Sequence, residues 1–306
     1  MSSLAYRESR IAHFCSKIGG RLVTPLIIEL ALPEKLYRNI INAAMDYIRS
    51  ALHLSYDSYH DDTTFCLSLE ANRLNRRNVT PNGAVVPKLE YALEYNRFIK
   101  AWCDLGKFLK NLAPTEIRYF RLTPNVRVKF SEELTDNVGR GLNTSIPHSD
   151  AWVEGPWGFN FHIPLLGDTE RNFLRFYHLK SRSSFSDEFL TEATDYNEKS
   201  WVLDHYTKIE NFTPLKGCAY FSDYAAIHDT HRRPGATVRV SIDSTIMVGN
   251  HEIHKDRIVE YVSQIPEIGS EYFIRCLRSE DDSIAPKKSA FSHYTTGNLE
   301  IVSLLK

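Results

Sequence analysis

Thr237-Val238-Arg239-Val240-Ser241-Ile242-Asp243 alternates apolar with polar side chains, and Thr245 and Ile246 carry the pattern on. A period of two marks an extended strand with one oily and one polar face. Val126, Val128 and Phe130 alternate in the same way with Arg127 and Lys129, and Phe159, Phe161, Ile163 and Leu165 with Asn160, His162 and Pro164. Between Ile117 and Val248 turns such as Gly139-Arg140-Gly141 and Arg233-Pro234-Gly235 punctuate short strands. No regular helices intervene of the kind a parallel α/β sheet requires. The fold expected is mainly β with flanking α-helices around an antiparallel double-stranded β-helix, a jelly-roll, cupin-like core.

Upstream of that core the period changes. Leu36, Ile40, Ala44 and Tyr47 recur at helical spacing after Pro33, which suits a helix start, and predict a helix from Pro33 to about Leu52. Leu89, Leu93, Phe98, Trp102, Leu105, Leu109 and Leu112 form a second stripe between Pro87 and Pro114. Both stripes read as core-packing faces. Ala71 to Val86 between them carries turn chemistry, and Ile253 to Ile265 is a further helical candidate. The expected organisation is one domain over 1–306, with a helix-rich part at 1–116, the jelly roll at 117–248 and an extension at 249–306.

Composition narrows the function classes. Lys plus Arg number 37 and Asp plus Glu 38, so the basic surface that non-specific nucleic-acid binding needs is not expected. The five cysteines are scattered without CxxC spacing, which argues against a disulfide framework or a zinc site and fits a reducing, cytoplasmic setting. MSSLAYRESR has no apolar stretch of the signal-peptide kind, and Leu26 to Pro33 is interrupted by Glu29 and too short to span a bilayer.

Twelve histidines are too many to be ligands, so spacing has to select among them. In Pro147-His148-Ser149-Asp150-Ala151-Trp152 an imidazole and a carboxylate stand two apart, on one face of an extended segment, where both can meet a single ion. A third ligand has to come from another strand. The best candidate is His228, reached through Gly217-Cys218-Ala219-Tyr220-Phe221 and a bend; Arg239 follows eleven residues later and shares a strand face with Ser241. His231 is the named rival, but leaves only eight residues to Arg239.

At these residues the chain resembles the iron(II)/2-oxoglutarate-dependent dioxygenase superfamily, with a local look closest to phytanoyl-CoA hydroxylase-like small-molecule hydroxylases. The likeness runs over Ile117 to Val248 and includes Phe161 to Asn172, similar to that family's second core strand and its acidic, Asn-containing turn. The resemblance implies Fe(II) on His148, Asp150 and His228, with positions left for a chelating 2-oxo acid and O2. It implies Arg239 on the far carboxylate of 2-oxoglutarate, for which a planar bidentate cation is suited, with Ser241 or Thr230 as hydroxyl donors; His162, on the polar face of its strand, could reach 2-oxoglutarate or substrate or make a structural hydrogen bond. The reaction implied is oxidation of a C–H bond of a small molecule, an amino acid derivative or biosynthetic intermediate, with succinate and CO2 as co-products. In related halogenases a small residue replaces the carboxylate, so Asp150 disfavours halogenation.

Trp152 and Trp157 could line a substrate pocket or simply pack, and Asn160 could reach substrate or make a structural hydrogen bond. Tyr119 and Arg121 have a weaker claim of the same kind, and Arg232 and Arg233 could grip an anionic substrate, with an exposed turn the preferred reading. Two competing readings remain: a cupin-like metalloenzyme that does not use 2-oxoglutarate, and a non-catalytic jelly-roll binding protein.

Overall fold

The computed structural model describes residues 4–55, 61–74, 78–80, 82–132, 146–151, 155–182, 200–251, 261–269, 271–276 and 299–304. In chain order these form α1 (Leu4–Ile18), β1 (Arg21–Thr24), β2 (Ile27–Ala31), α2 (Glu34–Leu52), α3 (Asp62–Ala71), α4 (Ala92–Leu112), β3 (Ile117–Arg121), β4 (Asn125–Lys129), β5 (Gly158–Gly167) and β6 (Asn172–Leu179). There follow a short helix α5 (Ser200–His205), β7 (Tyr206–Lys208), β8 (Cys218–Asp223), β9 (His228–Arg232), β10 (Arg239–Val248), β11 (Tyr261–Val262), β12 (Tyr272–Cys276) and β13 (Leu299–Ser303).

Pairing is antiparallel throughout the two sheets of the barrel. The large sheet runs β1-β2-β8-β5-β10, and the far edge of β10 is shared by β4 and β3, with β11 beyond β3. The small sheet runs β7-β6-β9, and His148 adds a bridge to His228 on its open side. From β4 onward the chain alternates between them: β4 large, His148 small, β5 large, β6 and β7 small, β8 large, β9 small, β10 large. That alternation is a double-stranded β-helix, as the strand periodicity predicts.

The period-two strands explain why the layers stack as they do. Phe159, Phe161, Ile163 and Leu165 of β5, Val240, Ile242 and Ile246 of β10 and Phe221 of β8 share one buried apolar cluster with Ile40 and Tyr47 of α2 and Phe98, Trp102 and Leu105 of α4. Trp102 stacks on Phe120 and Phe161 at ring-centroid distances of 5.0 and 5.3 Å, and its indole N–H donates to Arg121 O at 2.9 Å, so its one polar atom is satisfied inside the core. The two long helices therefore cover the outer face of the large sheet, and the polar alternate residues are left to fill the barrel interior.

Some elements differ from expectation. Tyr261 and Val262, within the stretch read as a helix from Ile253, pair in extended form with Arg121 and Phe120; the edge of β3 offers unpaired backbone groups that a strand satisfies and a helix cannot. Residues 252–260 and the Gly139-Arg140-Gly141 turn lie outside the described residues. One short helix, α5, does interrupt the barrel strands, between β6 and β7. β1, β2 and β11 come from outside 117–248 and widen the large sheet at both edges. None of the described helices is long and apolar enough to cross a membrane.

Candidate active site

The His148–His228 bridge assembles the site. Each residue donates its backbone N–H to the other's carbonyl, at 2.9 and 3.0 Å, so the two side chains leave the sheet side by side, with ring centroids 4.4 Å apart. Asp150 turns back toward them: its Oδ1 lies 3.8 Å from His148 Nε2 and its Oδ2 lies 3.6 Å from His228 Nε2. One ligand atom from each of His148, Asp150 and His228 falls within 4.8 Å of the others, a cluster that could hold a metal ion.

Hydrogen bonding orients these side chains toward one point. His148 Nδ1 sits 2.8 Å from Ile146 O, a pure acceptor, so its hydrogen is on Nδ1 and the lone pair is on Nε2, facing the cluster. Asn160, on the inward face of β5, donates its amide to Asp150 Oδ2 at 2.7 Å and points the same group at His228 Nε2, 3.4 Å away. It therefore fixes the carboxylate, and as a donor it identifies His228 Nε2 as an acceptor whose lone pair faces the cluster. Both imidazoles are 5% exposed, and the set offers two imidazole nitrogens and one carboxylate, the donor chemistry suited to a divalent transition metal.

His231 stands on the opposite face of β9 from His228, against Phe173 at a ring-centroid distance of 5.4 Å, so the strand's alternation keeps it out of this cluster. Thr230, two residues from His228, is on the same face as it and buried.

Further along the barrel the interior becomes cationic. Arg239 opens β10 directly across from Lys129 on β4 and Gly167 on β5. Gly167 has φ +77°, and a β-carbon there would collide with Val238 O, so only glycine lets β5 turn this close to the arginine. Asn172 braces the same corner, donating to Lys129 O at 2.8 Å and Thr237 O at 3.0 Å. The Arg239 side chain is buried, and its Nε and Nη1, together with Ser241 Oγ and His162 Nε2, have no hydrogen-bond partner among the described residues. Unsatisfied buried polar atoms are rare in folded proteins, and these stand on the inward faces of adjacent strands.

Electrostatics agrees with the geometry. Burial lowers the Arg239 guanidinium to about 10, with Arg232 and Arg127 adding repulsion and Asp243 opposing them. Burial also pushes the Lys129 ammonium well below its ordinary value, and Arg127, Arg239 and Arg232 push it further. Burial works against ionisation of Asp243 as well, but its hydrogen bond to His162 and its pairing with Arg127 hold its carboxyl well below the usual carboxylate range. Three guanidinium groups and the Lys129 amine gathered around one carboxylate make a cluster that an anion would stabilise.

The structure brings His148, Asp150, His228 and Asn160 into one cluster, and puts Arg239, Ser241 and His162 on adjoining inward faces. Trp157 lies elsewhere: it stacks on His251 at 4.3 Å, with the guanidinium groups of Arg7 and Arg10 over its ring at 4.6 and 5.3 Å. Trp152 is outside the described residues. Lys129, Arg127 and Asp243 escaped the sequence reading as site residues, although each sits on the polar side of a strand whose alternation was plain.

A comparison with solved structures returns the non-heme alpha ketoglutarate dependent epimerase SnoN from nogalamycin biosynthesis, 14% identical over 78% of this chain and 82% of that chain, TM-score 0.37. It also returns an N-substituted L-amino acid dioxygenase from Burkholderia ambifaria AMMD, 10% identical over 79% of this chain and 89% of that chain, TM-score 0.40. A third is the carbocyclase SnoK from nogalamycin biosynthesis, 11% identical over 72% and 79%, TM-score 0.35. Likeness this distant does not say which residues act or on what. No protein-family model matches the chain, and no curated protein does.

Proposed function

We propose that this chain is an iron(II)- and 2-oxoglutarate-dependent oxygenase that oxidises a C–H bond of a small molecule. The observation that carries the reading is that one barrel interior holds both a His-Asp-His cluster with inward lone pairs and a buried cationic cradle with unpartnered donors. His148, His228 and Asp150 would hold the metal, and Asn160 keeps Asp150 turned toward it. Arg239 would grip the far carboxylate of the co-substrate through its free N–H groups, with Ser241 and Thr230 supplying hydroxyl contacts and His162 a ring nitrogen. When bound, iron with 2-oxoglutarate and O2 supplies oxidative decarboxylation to succinate and CO2 and an oxidant for an unactivated C–H bond. The chain's own part is to orient the dicarboxylate, keep water from it and present the substrate's C–H bond. With Asp150 occupying the third ligand position, hydroxylation, desaturation or ring formation is favoured over halogenation.

The test is anaerobic addition of Fe(II) and then 2-oxoglutarate, read as the weak visible charge-transfer band of a chelated 2-oxo acid. His148→Ala should lose metal and band together, whereas Arg239→Leu should keep the metal and lose the band at ordinary co-substrate concentrations. Folded protein that binds iron but never gives the band would sink the reading in favour of a metalloenzyme that does not use 2-oxoglutarate. A band without succinate release across a broad substrate panel would favour a binding protein.

A further inference from the structure

His162 and Asp243 are register partners across β5 and β10, and His162 Nδ1 lies 2.7 Å from Asp243 Oδ1. An ionised carboxylate only accepts, so the hydrogen of this bond belongs to Nδ1. Arg127 closes on the other oxygen of Asp243, which locks the carboxylate in place and in its charged form. In a neutral His162 the remaining nitrogen, Nε2, is then a bare acceptor. It is fully buried and has no hydrogen-bond partner among the described residues.

Position decides what that atom can meet. His162 is two residues from Asn160, which bonds Asp150, and so shares the metal cluster's face of β5; Ser241 and Arg239 share the facing side of β10. On the proposed reading, the dicarboxylate lies between these layers. Its oxygens can only accept, and Nε2 of a neutral ring can only accept. Two acceptors repel unless a proton enters between them.

The groups around the ring are Asp243 and Arg239 from β10 and His228 from β9. Arg127 from β4 stands behind Asp243, Lys129 and Arg232 are the other basic groups nearby, and Tyr220, the ring's partner on β8, donates its hydroxyl to Glu29. Burial lowers the imidazole's affinity for a proton, Asp243 raises it, and Arg239 and His228 lower it again, so the ring is neutral near pH 7.5 without a ligand. An entering carboxylate reverses that balance.

We propose that Asp243 is a positioning residue that readies His162 to accept a proton as the dicarboxylate enters, so that His162 holds it as an imidazolium and loading takes up one proton. The proton comes from solvent and returns to it when the dicarboxylate leaves. This rests on the proposed use of 2-oxoglutarate, and the experiment separates the two.

The experiment is anaerobic calorimetric titration of 2-oxoglutarate into the Fe(II)-loaded protein, in buffers of different ionisation heat. The wild type should take up close to one proton at pH 7.5, and its affinity should fall about tenfold per pH unit above that until the bound ring itself titrates. His162→Gln, which keeps an N–H donor, should bind without proton uptake and with a flat pH profile. Asp243→Asn can donate its amide to Nδ1 and leave the hydrogen on Nε2, so it should bind with uptake falling toward zero. A purely structural role for Asp243 would change affinity but leave the proton count alone. Binding by the wild type with no uptake overturns the inference and leaves the function standing. Uptake that persists in His162→Gln assigns the proton to Lys129 and also overturns it, as does full uptake in Asp243→Asn. No binding of 2-oxoglutarate at all removes both.

Discussion

Replacing Arg239 by Met should move stability and co-substrate binding in opposite directions. The guanidinium is buried with two nitrogens that have no hydrogen-bond partner among the described residues, and the attraction of Asp243 is opposed by Arg232, Arg127 and Lys129. Leaving a buried donor unsatisfied costs about 1–3 kcal/mol, so the two together burden the ligand-free fold by roughly 2–6 kcal/mol, toward the lower figure where water enters the barrel. Met retains most of the packing of the alkyl stem and removes the charge. At about 2 °C per kcal/mol for a chain of this length, the ligand-free variant should melt roughly 4 °C above wild type. Binding should show the reverse: two lost charge-assisted hydrogen bonds, about 1.5–3 kcal/mol each, raise the Kd for 2-oxoglutarate by roughly two to four powers of ten. The assay is thermal melting with a redox-inert divalent metal, with and without 2-oxoglutarate. At a hundredfold over Kd the ligand should stabilise the wild type by about 2.7 kcal/mol and the variant negligibly. A ligand-free variant that melts well below wild type would refute the reasoning, because Arg239 would then be a satisfied structural residue. An unchanged ligand shift would refute it equally.

Asn160→Ala should weaken metal affinity about 10- to 100-fold, measured by chelator competition, because Asp150 loses the amide that orients it. Gly158→Ala should destabilise by about 1–3 kcal/mol in a denaturant titration. Its new methyl would stand 2.7 Å from the Tyr224 ring, which is buried and tied to Thr245 Oγ1 at 2.9 Å and so cannot yield freely. Cys66 and Cys103, both pushed up to about 12 by burial, are protonated at pH 8 and should resist thiol labelling until the protein unfolds, as read by peptide mapping.

The strands β4, β5 and β10 were legible because each has one face in an apolar core and one in a polar interior, and such strands write their environment as strict alternation. α2 and α4 were legible from their stripes and the prolines beside them. α1 was not, because its buried face reads Leu4, Arg7, Ile11, Phe14 and Ile18, and the arginine breaks the stripe. That arginine is compatible with burial because it donates to Asp223 Oδ1, 216 positions away, at 2.9 Å and to Pro156 O at 2.7 Å. α3 was missed although Asp61 caps it, accepting from Thr63 and Thr64 N–H at 2.7 and 2.9 Å. β9, His228-Asp229-Thr230-His231-Arg232, has no apolar residue at all: its outward Asp229 is buried by its bonds to Arg175 and Tyr177, a compensation invisible in the local string. The same holds for the site. The spacing of His148 and Asp150 was a local signal, whereas Lys129, Arg127 and Asp243 acquire meaning only once β4 and β10 are side by side.

The central place of β10 in the large sheet has a consequence for how the chain reaches this state. β4 and β5 do not pair with each other; each pairs with β10, the last of the barrel strands along the chain. During synthesis both therefore emerge with open edges and must wait for residues 239–248 before the barrel closes. α1 waits as well, since Arg7 and Arg10 dock on Asp223, and Arg10 also donates to Val248 O at 3.1 Å, 238 positions away. Such long-range closure makes for slow folding with exposed intermediates. The cationic cradle is completed in that same step, when Arg239 and Asp243 of β10 come to lie beside Lys129 and Arg127.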